Sequence, residues 1–427
     1  MSGLNPPSAP LFQSGEPHAP LCKRGARGDL LLAAILIATS SHATAEESNW
    51  KTSWDGTLYG YANSMKLRDD SVLNPFNRIA QLPQRTNVAE LRLNIKAEND
   101  TVRLTARTIN STREMRNAFG KQSRNEGYAS QWQVRVRAAE SWNVAAGRDV
   151  LNWGAGQFRS PSSPFYFDNG RTDPMRELVG MDMMKLSWTP DMQSSTTLAR
   201  IVRSGYGAAQ PDAWRDSWLA KFDQRESALS YGLVAVKAPH LGAFYGAHGQ
   251  YTMSDEVMLY GEFGSSVLPV VLQSPVDAAQ PYVVQSPSPR GNASLIGASY
   301  TLENGQSVMT EYLHDGHGYT REEESAYFQR ATTTFGLPLG LMPRLLGRDY
   351  FHAVWQANMM SETGYWRLMY TRNLTDNGNE LAAYGETTAT THISIYALIV
   401  QPVGNARQES PALFRRSVTA GVKIALP

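Results

Sequence analysis

The chain has 427 residues, room for one large domain or for two or three ordinary ones. Its 40 Lys and Arg balance 39 Asp and Glu, and a nucleic-acid surface needs a clear basic excess, so no nucleic-acid partner is expected. Aromatics make up 10% of the chain while mean hydropathy is negative, a pairing that suits a sheet apolar on one face and wet on the other.

Near the N-terminus, Lys23, Arg24 and Arg27 precede the apolar run 30–38, and the small residues Ala43 and Ala45 follow. Charged, apolar, small-x-small is the order of a secretory signal. Residues 1–45 are therefore expected to be a leader, cleaved after Ala45, and residues 46–427 the mature protein. The only cysteine, Cys22, falls inside that leader; a mature chain without thiols suits an oxidising compartment. After Glu46 no apolar run approaches the ~18 residues of a spanning helix. A mature chain in a membrane would then have to be a closed barrel, because lipid leaves no backbone group a partner outside the protein.

From residue 88 the sequence alternates as strands do. VAELRLNIK (88–96) puts Leu91, Leu93 and Ile95 on one face and Glu90, Arg92, Asn94 and Lys96 on the other. TVRLTAR (101–107) follows with Val102, Leu104 and Ala106 against Arg103, Thr105 and Arg107, and WQVRVRA (132–138) with Trp132, Val134 and Val136 against Gln133, Arg135 and Arg137. A soluble sandwich alternates too. The connections separate the cases: tight turns are predicted at 97–100, 139–141, 189–192, 224–227, 254–255, 302–306 and 361–364, with long connections between them at 154–180, 266–291 and 317–349. Short turns on one side and long loops on the other mark outer-membrane barrels. The predicted fold is all-β, a closed antiparallel transmembrane barrel of about 18 strands, with 16 as the alternative if the pair near 380–400 does not form. Trp54, Tyr59, Trp132, Trp142, Trp188, Trp218, Tyr251, Trp355 and Trp366 are expected in interfacial girdles or against lipid.

In such a barrel the polar faces would bring Arg92, Lys96, Arg103, Arg107, Arg135 and Arg137 onto one inner wall, against Glu90 and Glu98. That wall would either concentrate anions or be neutralised by loop carboxylates. Residues 147–180 are the most distinctive stretch: too irregular for a strand, too apolar for a solvated tail. By analogy with porins, this third loop would bend into the lumen and line a constriction with Arg159, Asp168, Arg171, Asp173, Arg176 and Glu177; the alternative is a lid packed over the mouth. Its opening, Gly147, Arg148, Trp153 and Gly154, resembles a motif of porin-like families and of alginate-export-type barrels. The last strand carries Thr419, Gly421, Ile424 and Leu426 in a spacing that resembles the C-terminal signal read by the barrel assembly machinery, although the chain ends in Pro427 instead of an aromatic.

REEESAYFQRA (321–331) is predicted to form a short helix, and the apolar FGLPLGLMPRLLG after it would plug the lumen, rest on lipopolysaccharide or stay partly disordered. His314-Asp315-Gly316-His317 matches no strong zinc spacing, and no Gly-x-Ser-x-Gly elbow occurs. No catalysis, metal or cofactor is expected. The expected partners are outer-membrane lipid and lipopolysaccharide, the assembly machinery, and small solutes or an exported acidic polymer, with oligomeric state open. A channel for small solutes, with anion preference left open, is the first expectation, an export barrel for an acidic surface polysaccharide the second, and a structural envelope barrel or an outer-membrane enzyme the third.

Overall fold

A computed structural model describes residues 49–207, 212–334, 337–358 and 364–426. The expected leader, with Ala43 and Ala45, lies outside the described residues. The strands are β1 (Lys51–Leu67), β2 (Arg85–Glu98), β3 (Val102–Asn117), β4 (Gly120–Ala139), β5 (Trp142–Asp149), β6 (Met181–Trp188), β7 (Ser194–Arg203), β8 (Ser217–Arg225), β9 (Leu229–Ala238), β10 (Gly242–Thr252), β11 (Val257–Ser266), β12 (Val271–Gln273), β13 (Val283–Gln285), β14 (Gly291–Thr301), β15 (Ser307–Asp315), β16 (Asp349–Gln356), β17 (Gly364–Asn373), β18 (Asn379–Thr390), β19 (Ile393–Val403) and β20 (Phe414–Leu426). All but β12 and β13 form one 18-stranded antiparallel sheet. β1 pairs with β2 along one edge and with β20 along the other, from Gly56 opposite Leu426 to Leu67 opposite Phe414, so the sheet closes. The pair near 380–400 is formed by β18 and β19, which settles the count at 18.

The three long connections expected from the sequence all lie on one rim, although two others there, at 118–119 and 239–241, are as short as turns. One rim carries turns such as 99–101, 140–141 and 391–392; the other carries nine loops, L1 to L9, at 68–84, 118–119, 150–180, 204–216, 239–241, 267–290, 316–348, 374–378 and 404–413. In the turn predicted at 361–364, residues 361–363 lie outside the described residues. The small β12–β13 hairpin in L6, which the period-two reading missed, is a separate two-stranded sheet. L7 holds helix α1 (Arg321–Ala331), closed at its start by a capping box between Thr320 and Glu323, and a short helix α2 (Leu337–Leu341).

Side-chain parity follows the sequence. Leu91, Leu93 and Ile95 point out, and Glu90, Arg92 and Lys96 point in beside Tyr59, Thr57 and Ser53 of β1. The outer surface carries exposed Trp54, Leu58, Val134, Leu186, Leu233, Phe263, Ile296, Leu368 and Ile395, which span the circumference. Such a continuous apolar belt is what lipid covers. Toward the short-turn rim, outward Trp142 stacks on Trp188 and Trp355 meets Trp366 edge-on; Trp54 and Tyr251 are also exposed there, Trp218 is exposed nearer the loops, and Trp132 points out from β4. Tyr59 is a correction: it faces inward, with the Arg92 guanidinium 4.3 Å above its ring, because its parity on β1 is that of Thr57 and Tyr61. On β20, Thr419 and Gly421 face the interior while Ile424 and Leu426 face out, and the strand is laddered on both sides.

The candidate channel and its third loop

The interior is packed on one side. From β6 to β10 the inner face carries Lys185, Lys221, Asp223 and His248, but its residues nearer the loops are apolar: Met183, Ala199, Ile201, Leu219, Val234, Val236 and Phe244 bury against Leu151, Trp153, Phe165 and Tyr166 of L3. L3 thus enters the barrel instead of capping it, so of the two expected arrangements the inward one is present. The opening motif is explained by this entry. Arg148 is buried, ion-paired to Asp182 at 2.7 Å and bonded to the Ala129 carbonyl. The Trp153 indole donates to the Ser162 carbonyl at 2.9 Å, folding the loop back on itself. Gly154 has φ +84, and a Cβ there would run into the Glu262 carboxylate, so the position admits glycine alone.

Two inward carboxylates hold the loop. Glu262 on β11 accepts from Gly156 N at 2.8 Å, Ser160 Oγ at 2.6 Å, Ser162 N at 3.3 Å and Ser162 Oγ at 2.6 Å. Glu311 on β15 accepts from Gln157 N at 2.5 Å, Phe158 N at 2.8 Å and the Tyr260 hydroxyl at 2.7 Å. A loop inside a barrel carries backbone N–H groups that no ladder satisfies, and these two side chains supply the acceptors. Phe158 then stacks on His352, and the Arg367 guanidinium reaches Gln157 Oε1 at 3.1 Å, which fixes the loop against β16 and β17.

The returning arm crosses to the opposite wall. Glu177 pairs with Arg107 at 3.0 Å and Arg92 at 3.4 Å, and Arg92 also donates to the Met175 carbonyl. All six expected basic-wall residues face inward on β2 to β4. Arg92 is buried against Glu90; Lys96 and Arg103 share Glu98 at 2.5 and 2.7 Å. Arg135 and Arg137 carry no carboxylate partner among the described residues. Of the expected constriction residues, Asp168 pairs with Arg176 at 2.6 Å, and Glu177 is the one that reaches the β2–β3 wall. Arg159 is a correction: it is 1% exposed, lying over the Phe158 ring and donating to the Phe158 carbonyl, because the loop needs it as a brace inside its own fold. Arg171 clamps the carbonyls of Gly154 and Gly156, and Asp173 accepts from Met175 N in a turn. These two shape the loop.

Above L3, the loops L1, L6, L7 and L9 form a dome. Leu73 of L1, Leu272 of L6, Tyr319, Tyr327, Phe328 and Leu346 of L7 and Leu413 of L9 share one apolar cluster. Arg330 ties α1 to L6 through the carbonyls of Gln280, Pro275 and Asp277 and the Ser274 hydroxyl. L7 reaches down to L3, where Arg344 lies 4.0 Å over the Phe167 ring. Under the dome, Glu409 of L9 accepts from Leu346 N, the Tyr350 hydroxyl and Asn373 Nδ2. Burial, with Asp376 beside it, pushes the Glu409 carboxyl up to about 7. Glu324 of α1 is buried with neither carboxyl oxygen hydrogen-bonded; burial first, then Asp376 and Glu409, hold it far above the usual range. His314 binds Asp349 while His317 meets Ser266, so this sequence cluster is not one site in space.

The barrel fold is shared with solved structures. OccK11 (OpdR) of Pseudomonas aeruginosa superposes with a TM-score of 0.52 at 9% identity, covering 88% of this chain and 96% of that one. OccAB1 of Acinetobacter baumannii gives 0.52 at 11%, with 88% and 96% covered, and OprD of P. aeruginosa gives 0.51 at 11%, with 88% and 95%. The chain has the porin barrel fold. No protein-family model matches the sequence, and no curated protein does. The expected likeness to alginate-export barrels finds no support; the neighbours are OprD/Occ-type outer-membrane porins. The short motif at 147–154 is the root of an infolded loop.

Sequence reasoning missed Glu262, Glu311, Glu409 and Arg367. The signal was present only in part. In GEFG (261–264) and TEYL (310–313), alternation puts each glutamate on the face opposite Phe263 or Tyr312, so both read as inward; nothing local shows that a loop about 100 residues away in one case and 150 in the other rests on them.

Proposed function

We propose that the chain is an outer-membrane channel for small solutes, placed in the outer membrane of a Gram-negative envelope. The reading rests on a closed barrel, apolar outside, whose inner wall is charged along β2 to β4 and which L3 enters from the opposite side. The finer reading is a preference for anions: the wall sets six cations, Arg92, Lys96, Arg103, Arg107, Arg135 and Arg137, against Glu90, Glu98 and Glu177, and a charged cleft between low-dielectric walls gathers counter-ions.

Liposomes carrying the purified protein are expected to swell in isotonic small sugars and small organic acids, and bilayer currents in a salt gradient to reverse on the anion side. Changing Arg103, Arg135 and Arg137 together to Gln is expected to move the reversal potential toward cation selectivity, most strongly at low salt, where screening is weakest. A lumen closed to every small solute would sink the channel reading. Cation selectivity that survives neutralising all six residues would remove the anion preference alone.

A further inference from the structure

The outer surface at the loop rim carries a row of cations in strand register. On β7, β8 and β9, Arg200 stands opposite Trp218, and Trp218 opposite Lys237. Lys237 in turn faces Ala243 on β10. On the far side of Ala243, Arg290 at the end of L6 is pinned by its own hydrogen bonds, donating to the Ala243 carbonyl at 2.6 Å and to the Ser265 carbonyl at 3.2 Å, with its guanidinium over the Tyr245 ring. Ala243 therefore makes a low floor between two cations. All four polar or aromatic members, Arg200, Trp218, Lys237 and Arg290, are exposed. Arg203 and Arg215 extend the patch, and the acids in it are Asp216, which pairs with Arg200 and Arg215, and Asp182, which is shared with buried Arg148. Neither Lys237 nor Arg290 has a carboxylate partner among the described residues.

The height of the row is informative. Below it on the same face lie Leu198, Ala220, Leu233 and Phe263, the apolar belt. Lys237 and Leu229 are eight residues apart on β9, about 26 Å along a strand. At barrel tilt that is ~20 Å across the membrane, close to the ~25 Å of an outer-membrane apolar band. The cations thus sit where acyl chains end and headgroups begin, beside Trp218 and Tyr245, side chains suited to that boundary.

We infer that this row binds the phosphates of a lipopolysaccharide molecule in the outer leaflet, Lys237 and Arg290 closing on one phosphate over Ala243 and Arg200 meeting the other. The inference rests on the outer-membrane reading above. The anchored Arg290 is preorganised for bidentate phosphate bonding, while the apolar belt beneath accepts the acyl chains.

The test is native mass spectrometry of the detergent-purified barrel with bisphosphorylated lipid A, monophosphorylated lipid A and phosphatidylglycerol. Wild type is expected to retain the bisphosphorylated form best, and the triple variant Arg200→Ala, Lys237→Ala, Arg290→Ala to lose about tenfold or more of that retention, with heat-modifiable gel migration showing that the barrel is still folded. Arg225→Ala, at the opposite rim, is expected to change nothing. Equal retention by wild type and triple variant, equal retention of phosphatidylglycerol, or an equal loss in Arg225→Ala would each overturn the site. A protein that stays soluble without detergent would instead overturn the membrane reading beneath it.

Discussion

Replacing Glu262 and Glu311 together with Ala is expected to raise single-channel conductance severalfold while the barrel still assembles. The two carboxylates take every hydrogen bond that holds residues 156–162 to β11 and β15. Bonds to a charged acceptor contribute about 1.5–3 kcal/mol each, so their loss exceeds what usually keeps a loop from opening locally. The barrel wall does not depend on them: its ladders run backbone to backbone on both sides of β11 and β15. Gly264→Val reaches the same end sterically, since any Cβ there meets the Pro161 carbonyl. Conductance unchanged in both variants, with heat-modifiable migration retained, would mean that L3 is not what narrows the passage.

The second large effect is with pH. Glu324, Asp376 and Glu409 bring L7, L8 and L9 together in a buried space, and burial above all raises all three carboxyls. A carboxyl raised in the folded state contributes stability that is complete below the unfolded value, about 4, and is lost as pH rises through the folded value, about 7 for Glu409. For Glu409 alone the swing is on the order of 3 kcal/mol. The dome is therefore expected to be closed and protease-resistant near pH 5, and loosened, with more frequent current fluctuations, near pH 8. Glu324→Gln, which cannot ionise, should keep the dome shut further into the alkaline range. Limited proteolysis that is indifferent to pH across this window would count against coupling of the dome to these groups.

Much of the barrel was legible because one face of each strand is apolar, and a period of two leaves little choice of register. Leu91, Leu93 and Ile95 could only point one way once Glu90, Arg92 and Lys96 pointed the other. Tyr59 escaped because a tyrosine suits lipid interface and wet lumen equally, and only its pairing with Glu90 decides. The six wall cations were assigned to the right face but not to their partners: Glu177, which joins Arg92 to Arg107, comes from L3, and no local rule links a loop to a distant strand. The same applies to Arg159. Its charge suggested the passage, yet an irregular loop in a confined space must stabilise its own carbonyls, and a long guanidinium is the side chain that does so.

The seam between β1 and β20 sets how this molecule can be made. Asn63 donates to Ser417 and Thr419, residues more than 350 positions later, so the two ends of the chain become neighbours only after everything between them exists. Joining ends so far apart adds little entropy cost beyond that of a shorter ring, because closure scales with the logarithm of length. The difficulty is one of timing: until β20 reaches β1, both outer strands offer bare amide edges to any passing extended chain. Those two edges need cover until their distant partners meet, and the seam is the last part of the ring that can form.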